Sequence, residues 1–295
     1  MNADKPLGQL SKLRALHMAS AEVYVPDGIG VTQALRRTTH LCVSAHQDDI
    51  EIMAAAPIVE CFQQKDQWFT GVVVTDGRGS PRDGLYADYS DEDMRLVRFK
   101  EQRKAATVGE YAAQVMLDYP SKVLKDGSQS DPVEDLLVVL QTARPRAVYT
   151  HNLADKHDTH LATALRVIEA LRRLPEDQRP DKLYGCEVWR ALDWMLDEDK
   201  CAMDVSLHEN LQAALLGVHD SQIAGGKRYD LASMGRRRAN ATYFESHGVD
   251  VTTGLSFAMD MTALIRDTRL EPAAFVDGLI EHFRQDVNDR IRRMR

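Results

Sequence analysis

Apolar residues along this chain alternate between short unbroken runs and longer stretches that recur every three or four positions, the patterns of buried strands and amphipathic helices. The first clear run, Leu41-Cys42-Val43, is bounded by Thr39-His40 and Ser44 and stops at Ala45-His46-Gln47-Asp48-Asp49. A short apolar run with polar ends suits a strand covered on both faces. Ile52, Met53, Ala56, Val59 and Phe62 then keep helical spacing, and Pro57 among them predicts a kink in that helix. Further strands are predicted over 68–75, 115–119 and 147–150. Between them lie a helix over 91–110, opened by Ser90 and Asp91, and a helix begun at Asp131-Pro132, where proline sacrifices no hydrogen bond.

Strand and helix thus alternate four times, the order of a parallel sheet wrapped by helices. The fold class expected is α/β: a Rossmann-like, largely parallel sheet flanked by helices, with an elaborated C-terminal third. Right-handed crossovers would bring the carboxyl ends of the strands to one rim, where open α/β sheets hold their ligands. After a helix over 161–173, strands are expected over 183–189, 202–206 and 255–259, and helices over 209–219, 227–246 and 272–295. Residues 1–31 show no sustained period and read as a lead-in arm, with one short helix around 9–19. The simplest partition is one domain over 1–295, its C-terminal elaboration starting near 223.

Composition narrows the class. The chain has 295 residues, 44% hydrophobic and 28% charged, with a formal net charge of −8, which argues against nucleic-acid partners and anionic membrane surfaces. No stretch approaches the roughly 18 apolar residues of a membrane span. The four cysteines, Cys42, Cys61, Cys186 and Cys201, form no C-x-x-C pair, so reduced thiols and a cytoplasmic location are expected. Oligomeric state is open, a homo-oligomer included. The run Arg236-Arg237-Arg238 reads as a solvated helix face.

Two strand ends carry the candidate chemistry. The first places His46, Asp48 and Asp49 together, with Asp48 or Asp49 also able to cap the following helix. The second, His151-Asn152-Leu153-Ala154-Asp155-Lys156-His157-Asp158-Thr159-His160, packs three histidines and two aspartates into ten residues. Borderline divalent metals take two or three imidazole or carboxylate ligands and keep a position open for water. His46 and Asp49, three apart, with one more imidazole from the second loop would make such a set, leaving Asp48 as a general base. Between them, the loop 76–84 is dense in Gly, Pro and Asp and suits a binding loop. Arg78 and Arg98 are candidates to bind an anionic or polyol substrate, although the charged face of an amphipathic helix accounts for Arg98 equally well. His151 and His219 read as bystanders or supporting residues.

These residues resemble the PIG-L (LmbE-like) family of metal-dependent N-deacetylases. Its A-H-P-D-D-E motif is similar to Ala45-His46-Gln47-Asp48-Asp49, with Gln47 in place of proline and the acid displaced to Glu51. Its H-P-D-H motif aligns with His157-Asp158-Thr159-His160, and its T-x-G with Thr75-Asp76-Gly77. The helix pattern R-x-x-E-x-x-x-A-x-x-x-G falls on Arg98, Glu101, Ala105 and Gly109, and H-x-S-Q on His219-Asp220-Ser221-Gln222. The resemblance implies zinc held by His46, Asp49 and His160, with Asp48 as the base. It implies that His157 stabilises the oxyanion or protonates the departing amine, and that the substrate is an N-acylated amino sugar or its conjugate. Asp158 and Thr159 depart from H-P-D-H, so Asp155 or Asp158 would have to orient the histidine. Rival readings are a metal-dependent phosphoesterase or other amidohydrolase, and a catalytically degenerate ligand-binding member. A dinucleotide-binding domain is disfavoured because no G-x-G-x-x-G follows the first strand.

Overall fold

The computed structural model describes residues 9–11 and 16–295. Its strands are β1 (Gln9–Ser11), β2 (Glu22–Val25), β3 (His40–Ser44), β4 (Phe69–Thr75), β5 (Ala113–Tyr119), β6 (Ala147–His151), β7 (Lys182–Cys186), β8 (Lys200–Asp204) and β9 (Leu255–Asp260). Its helices are α1 (Val31–Arg36), α2 (Asp49–Met53), α3 (Ala55–Cys61), α4 (Asp91–Val108), α5 (Ser121–Lys125) and α6 (Asp131–Ala143). They continue with α7 (Asp158–Arg173), α8 (Glu209–Gly217), α9 (Asp220–Ile223), α10 (Tyr229–Tyr243), α11 (Ala263–Arg266) and α12 (Pro272–Arg293). The nine strands form one sheet in the order β1-β2-β5-β4-β3-β6-β7-β9-β8.

The expected α/β fold is observed. β5, β4, β3, β6 and β7 run parallel, and the strands at both edges are antiparallel. All residues of β3, β4, β5 and β6 are buried, because helices cover both faces and leave no side for polar alternation. Leu41, Val43, Val72 and Val74 face a core with Leu136, Val139 and Val167 of α6 and α7. Cys42 and Val73 face the opposite core with Ile50, Ile58 and Phe99. The chain leaves β3 for β4 on one side and later returns to β6 on the other, so a topological switch point lies at the carboxyl ends of β3 and β6.

Three expectations need correction. The lead-in arm supplies two strands: Glu22-Val23-Tyr24-Val25 pairs with β5, and β1 pairs with β2. The expected helix over 9–19 is therefore absent at Gln9–Ser11, which is strand, and at 16–19, which is not helical; 12–15 lie outside the described residues. His17 anchors this segment, its backbone N–H and Nδ1 reaching the buried Asp135 carboxylate at 3.1 and 2.7 Å.

The helix expected to kink at Pro57 is instead two helices, broken at Ala54 (φ −109°, ψ 28°). The break lies upstream because proline cannot donate to the carbonyl four residues before it, and its ring crowds that carbonyl. The break leaves carbonyls at the end of α2 without helical partners. Arg237 takes them, donating from Nη2 to Glu51 O at 2.7 Å and to Ile52 O at 3.2 Å. The solvated-face reading of Arg236–Arg238 therefore holds for Arg238, which pairs with Glu209. Arg237 is buried, and Arg236 donates to the Val188 carbonyl. Cys42, Cys61 and Cys186 are buried free thiols, and Cys201 is half-buried and free. No helix among the described residues is long and apolar enough to cross a membrane.

Candidate active site

The switch point is tied together at its strand tips. Ala45 N–H donates to His151 Nε2 at 2.8 Å, and Thr75 donates to Ala45 O from both its backbone N–H (2.9 Å) and its hydroxyl (2.8 Å). The next three residues turn sharply into α2, and Asp48 sits at φ 88°, a left-handed value that strains a non-glycine residue. The surroundings hold it there. Its N–H donates to Gln102 Oε1 at 3.3 Å, Arg98 Nη2 donates to Gln47 O and to Asp48 Oδ1 (3.2 Å), and Gln47 Nε2 donates to Thr75 O at 3.1 Å. Gly77 permits this closeness: at φ +70°, any Cβ there would lie 2.4 Å from Gln47 Oε1. Neither aspartate caps α2 as expected. Asp48 makes no cap hydrogen bond, and Asp49 Oδ2 accepts from the upstream His46 N–H at 2.8 Å.

At this turn His46, Asp49 and His160 converge. His46 Nδ1 lies 3.2 Å from Asp49 Oδ2 and 3.2 Å from His160 Nε2, and the last is 3.3 Å from Asp49 Oδ2. Ligands about 2.0–2.1 Å from a tetrahedral divalent ion stand roughly 3.3–3.4 Å apart, so the donor set fits zinc in number, type and spacing. The other nitrogen of His160 bonds the Asp155 carboxylate at 3.0 Å. This carboxylate–imidazole pair is the arrangement that orients metal-binding histidines, and Asp155 fills it despite the altered H-x-x-H loop. A second cluster, His151, Asp155 and His160, also converges. Its His151 Nε2 lone pair already accepts the Ala45 N–H, so these residues support the first set rather than make a second ion site.

Electrostatics separate the roles further. Burial raises the Asp49 carboxyl, but the charges and hydrogen bonds of His160 and His46 overcome it and hold Asp49 well below the usual carboxylate range. Burial opposes a charge on His160, yet Asp49 and Asp155 push its value up to about 10. Burial pushes Asp48 up to about 7, with Arg98 opposing. His157 is lowered by burial and by the neighbouring His160. Its Nδ1 accepts the Thr159 N–H at 3.3 Å, which places the proton of the neutral ring on Nε2. His157 also lies edge-on to His46, with ring centroids 5.1 Å apart.

These side chains border a cavity of about 410 Å³. The loop after β4 contributes Gly77, Gly79, Ser80 and Pro81, and the C-terminal part contributes Gln222, Lys227 and Tyr229. Arg98 lines the cavity, although its guanidinium is taken up by Asp48, Gln47 O and Ser80. Arg78 is not among the lining residues; it pairs with Asp76 at 3.1 Å and Glu92 at 2.6 Å.

Behind the site lies a polar cluster that spacing alone did not expose. Glu51 Oε1 accepts from Tyr111 OH (2.8 Å) and Gln102 Nε2 (2.9 Å), and Oε2 pairs with His219 Nε2 at 3.0 Å. His219 is thus a buried supporting residue, joined through Glu51 and Gln102 to the Asp48 backbone. The available signal was a glutamate inside an apolar helix, which requires buried partners.

In sequence, residues 41–171 match the family model described as PIG-L: GlcNAc-PI de-N-acetylase, a span that includes His46, Asp48, Asp49, His157 and His160. No curated protein matches the chain. In fold it is similar to N,N'-diacetylchitobiose deacetylase from Pyrococcus horikoshii (TM-score 0.56, 18% identity, 75% of this chain and 83% of that chain). It is similar, too, to the A40926 pseudoaglycone deacetylase Dbv21 (TM-score 0.55, 17% identity, 76% and 97% of the two chains). The same fold occurs in GalB, the 4-carboxy-2-hydroxymuconate hydratase of Pseudomonas putida (TM-score 0.55, 15% identity, 76% and 95%). The folds agree while the chemistries differ, so the bond attacked must be argued from the site. Residues 41–171 of this chain form a domain of the PIG-L family.

Proposed function

We propose that this protein is a zinc-dependent N-deacetylase that removes an acyl group, acetyl in the first instance, from an amino sugar or its conjugate. The observation that carries the reading is the triangle of His46, Asp49 and His160 donor atoms, 3.2–3.3 Å on each side, with the buried Asp48 carboxylate beside it. When bound there, zinc supplies Lewis-acid polarisation of the amide carbonyl and lowers the pKa of a water. His46 and His160 present imidazole lone pairs, Asp49 a carboxylate oxygen, and Asp155 fixes the His160 ring.

Asp48 accepts the proton of the attacking water. A carboxyl pushed to about 7 by burial is near the pH at which a base both is ionised and holds a proton well. Arg98, 3.2 Å away, aims it and stabilises its charge. His157, neutral and with its proton on Nε2, donates to the carbonyl oxygen as it becomes an oxyanion. Its lowered pKa favours that role over proton donation to the amine. The proton taken up by Asp48 is then the one available to the departing nitrogen. Of the two converging clusters among the described residues, the one with His151 has its Nε2 lone pair already taken by the Ala45 N–H, which favours one ion over the paired ions frequent in phosphoester hydrolysis.

Zinc-loaded protein should release free amine from members of a panel of N-acetylated sugars, with about one ion per chain. His160→Ala should lose the zinc, and Asp48→Asn should keep it while turnover falls about 10²–10⁴-fold. Metal analysis and fluorogenic amine detection check both. A wild type without bound metal whose activity survives chelation would refute the proposal, and a ratio near two ions per chain would move it toward a phosphoesterase.

A further inference from the structure

The longest helix among the described residues is also the least covered. α12 runs for 22 residues without one buried side chain, whereas α4, α6, α7 and α10, all shorter, each bury several. Helices in proteins are stabilised chiefly by packing an amphipathic face, and α12 packs only part of one. Phe275, Val276 and Leu279 lie half-buried against the core that holds Phe257 and Met259 of β9. His282 Nδ1 adds a hydrogen bond to Asp199 at 2.7 Å.

About a quarter turn from that contact, a second apolar stripe faces solvent. Ile280 is 48% exposed, Val287 37%, Ile291 48% and Met294 84%. Ile280, Val287 and Met294 repeat every seven residues, with Ile291 between the last two. At about 100° per residue the four share one face within an arc of about 60°. Charge is ordered along the same helix. Three of its arginines are spent on its own carboxylates: Arg284 on Glu281, Arg290 on Asp286 and Arg292 on Asp289. Asp277, in the second turn, and Arg295, just past the last, make no ion pair among the described residues. Both lie on the flank of the stripe turned away from the core. The helix dipole accounts for an acid near the start and a cation at the end. It does not account for apolar side chains left in water between them.

An antiparallel copy of the same helix accounts for both. A two-fold axis brings like flanks together. With Ile280 opposite the partner's Ile291, Val287 meets the aliphatic stem of the partner's Arg284, and Asp277 comes beside the partner's Arg295. Each contact occurs twice. A parallel pair would set Asp277 against Asp277 and Arg295 against Arg295. A lipid surface suits the helix less, because Asp277, Glu281, Asp286 and Asp289 offset its arginines in a chain of formal net charge −8.

We propose that α12 is an interaction surface for a second copy of this chain, which pairs with it antiparallel to form a two-fold dimer. The proposal stands on this helix and is independent of the deacetylase reading. A helix about 33 Å long is a small contact beside those of obligate dimers, so dissociation should fall in about the micromolar range.

Sedimentation velocity of the full chain over about 1–100 μM tests the association. Wild type should pass from monomer to dimer across that range. Ile280→Glu/Ile291→Glu, at two half-exposed positions, should keep the wild-type circular dichroism and weaken dimerisation about tenfold or more. Leu85→Glu, an exposed apolar residue on the loop after β4, should leave the dimer intact. Direction is read by a short bis-maleimide in a Cys201→Ser background, which removes the half-buried native thiol. Asp277→Cys and Arg295→Cys should each fail to cross-link alone, because like residues then stand about 25 Å apart or more across the pair, and should cross-link when mixed. A wild type that stays monomeric, whether or not it binds anionic vesicles, would overturn the proposal. So would a dimer that survives the double glutamate variant or is lost equally in Leu85→Glu. Cross-links within either cysteine variant alone, or none in the mixture, would overturn it as well.

Discussion

Asp49 and Glu51 leave the same short helix two residues apart, and each is paired with a histidine from a distant part of the chain. The two pairs nonetheless serve opposite ends. Glu51 is saturated: Tyr111, Gln102 and His219 occupy its oxygens, and Arg237 takes its backbone carbonyl. Asp49 meets two imidazole nitrogens 3.2 and 3.3 Å away on the edge of a cavity, and three lone pairs point at a common space. A carboxylate–histidine pair is therefore no mark of function by itself. What distinguishes the site is donor capacity left converging, whereas the cluster behind it has its capacity spent. Spent capacity maintains shape, and converging capacity is what a metal or substrate can use.

Removing one member from each pair should break the molecule in different ways. Glu51→Ala strands a buried histidine and a buried tyrosine hydroxyl, and losing one side of a buried pair costs about 3–5 kcal/mol. Urea unfolding of metal-free protein should register that loss, while the protein that remains folded still takes up zinc. Zinc lost with stability unchanged would invert the comparison and make Glu51 part of the metal centre. Asp155→Asn should do the reverse, because on the proposed zinc reading Asp155 would act on the metal through the His160 ring it bonds. Changing such a partner typically weakens metal binding about 10–100-fold, which competition with a zinc chelator measures. An unchanged zinc affinity would mean that the His160 ring needs no carboxylate to present its other nitrogen.

How much of this was legible in the sequence follows the same division. The parallel strands were legible because burial on both faces writes unbroken apolar runs, as in Val72-Val73-Val74. The convergence of His46 and Asp49 with a histidine of the second loop was legible because polar groups cluster where such runs stop, and that the histidine is His160 followed from the resemblance to the PIG-L family. β2 was hidden by brevity: four residues with two half-buried side chains carry little pattern, and only the sheet edge at β5 makes them a strand. The break at Ala54 was hidden because Pro57 reports only that a helix cannot continue, while the position of the break depends on the carbonyl upstream. The fate of Arg237 was hidden for a linked reason. Its partners are carbonyls freed by that break, 186 residues earlier in the chain, and no local pattern distinguishes it from the solvent-facing Arg238.

The smallest expected effect concerns the saturated cluster alone. Burial by itself would lower His219, but the hydrogen bond and charge of Glu51, aided by Asp48 and Glu101, turn the net shift upward from the ordinary 6.5. A histidine raised in the folded state contributes its stability in full below the ordinary value and loses it as pH climbs through the raised one. Wild-type protein should therefore lose stability from this source as pH climbs from 6.5 through the raised His219 value, and His219→Gln should not. The comparison belongs in metal-free protein, because zinc binding at the proposed site would itself be pH-dependent through the proton on His160. Other raised groups, Glu187 at about 7 among them, lose stability over part of the same range, but they are common to both proteins and largely cancel in the difference. The gap in urea midpoint between wild type and variant should narrow with rising pH. A gap that stays constant would show that His219 takes up no extra proton beside Glu51, leaving a neutral imidazole that donates its Nε2 proton and making the contrast with Asp49 one of charge as well as access.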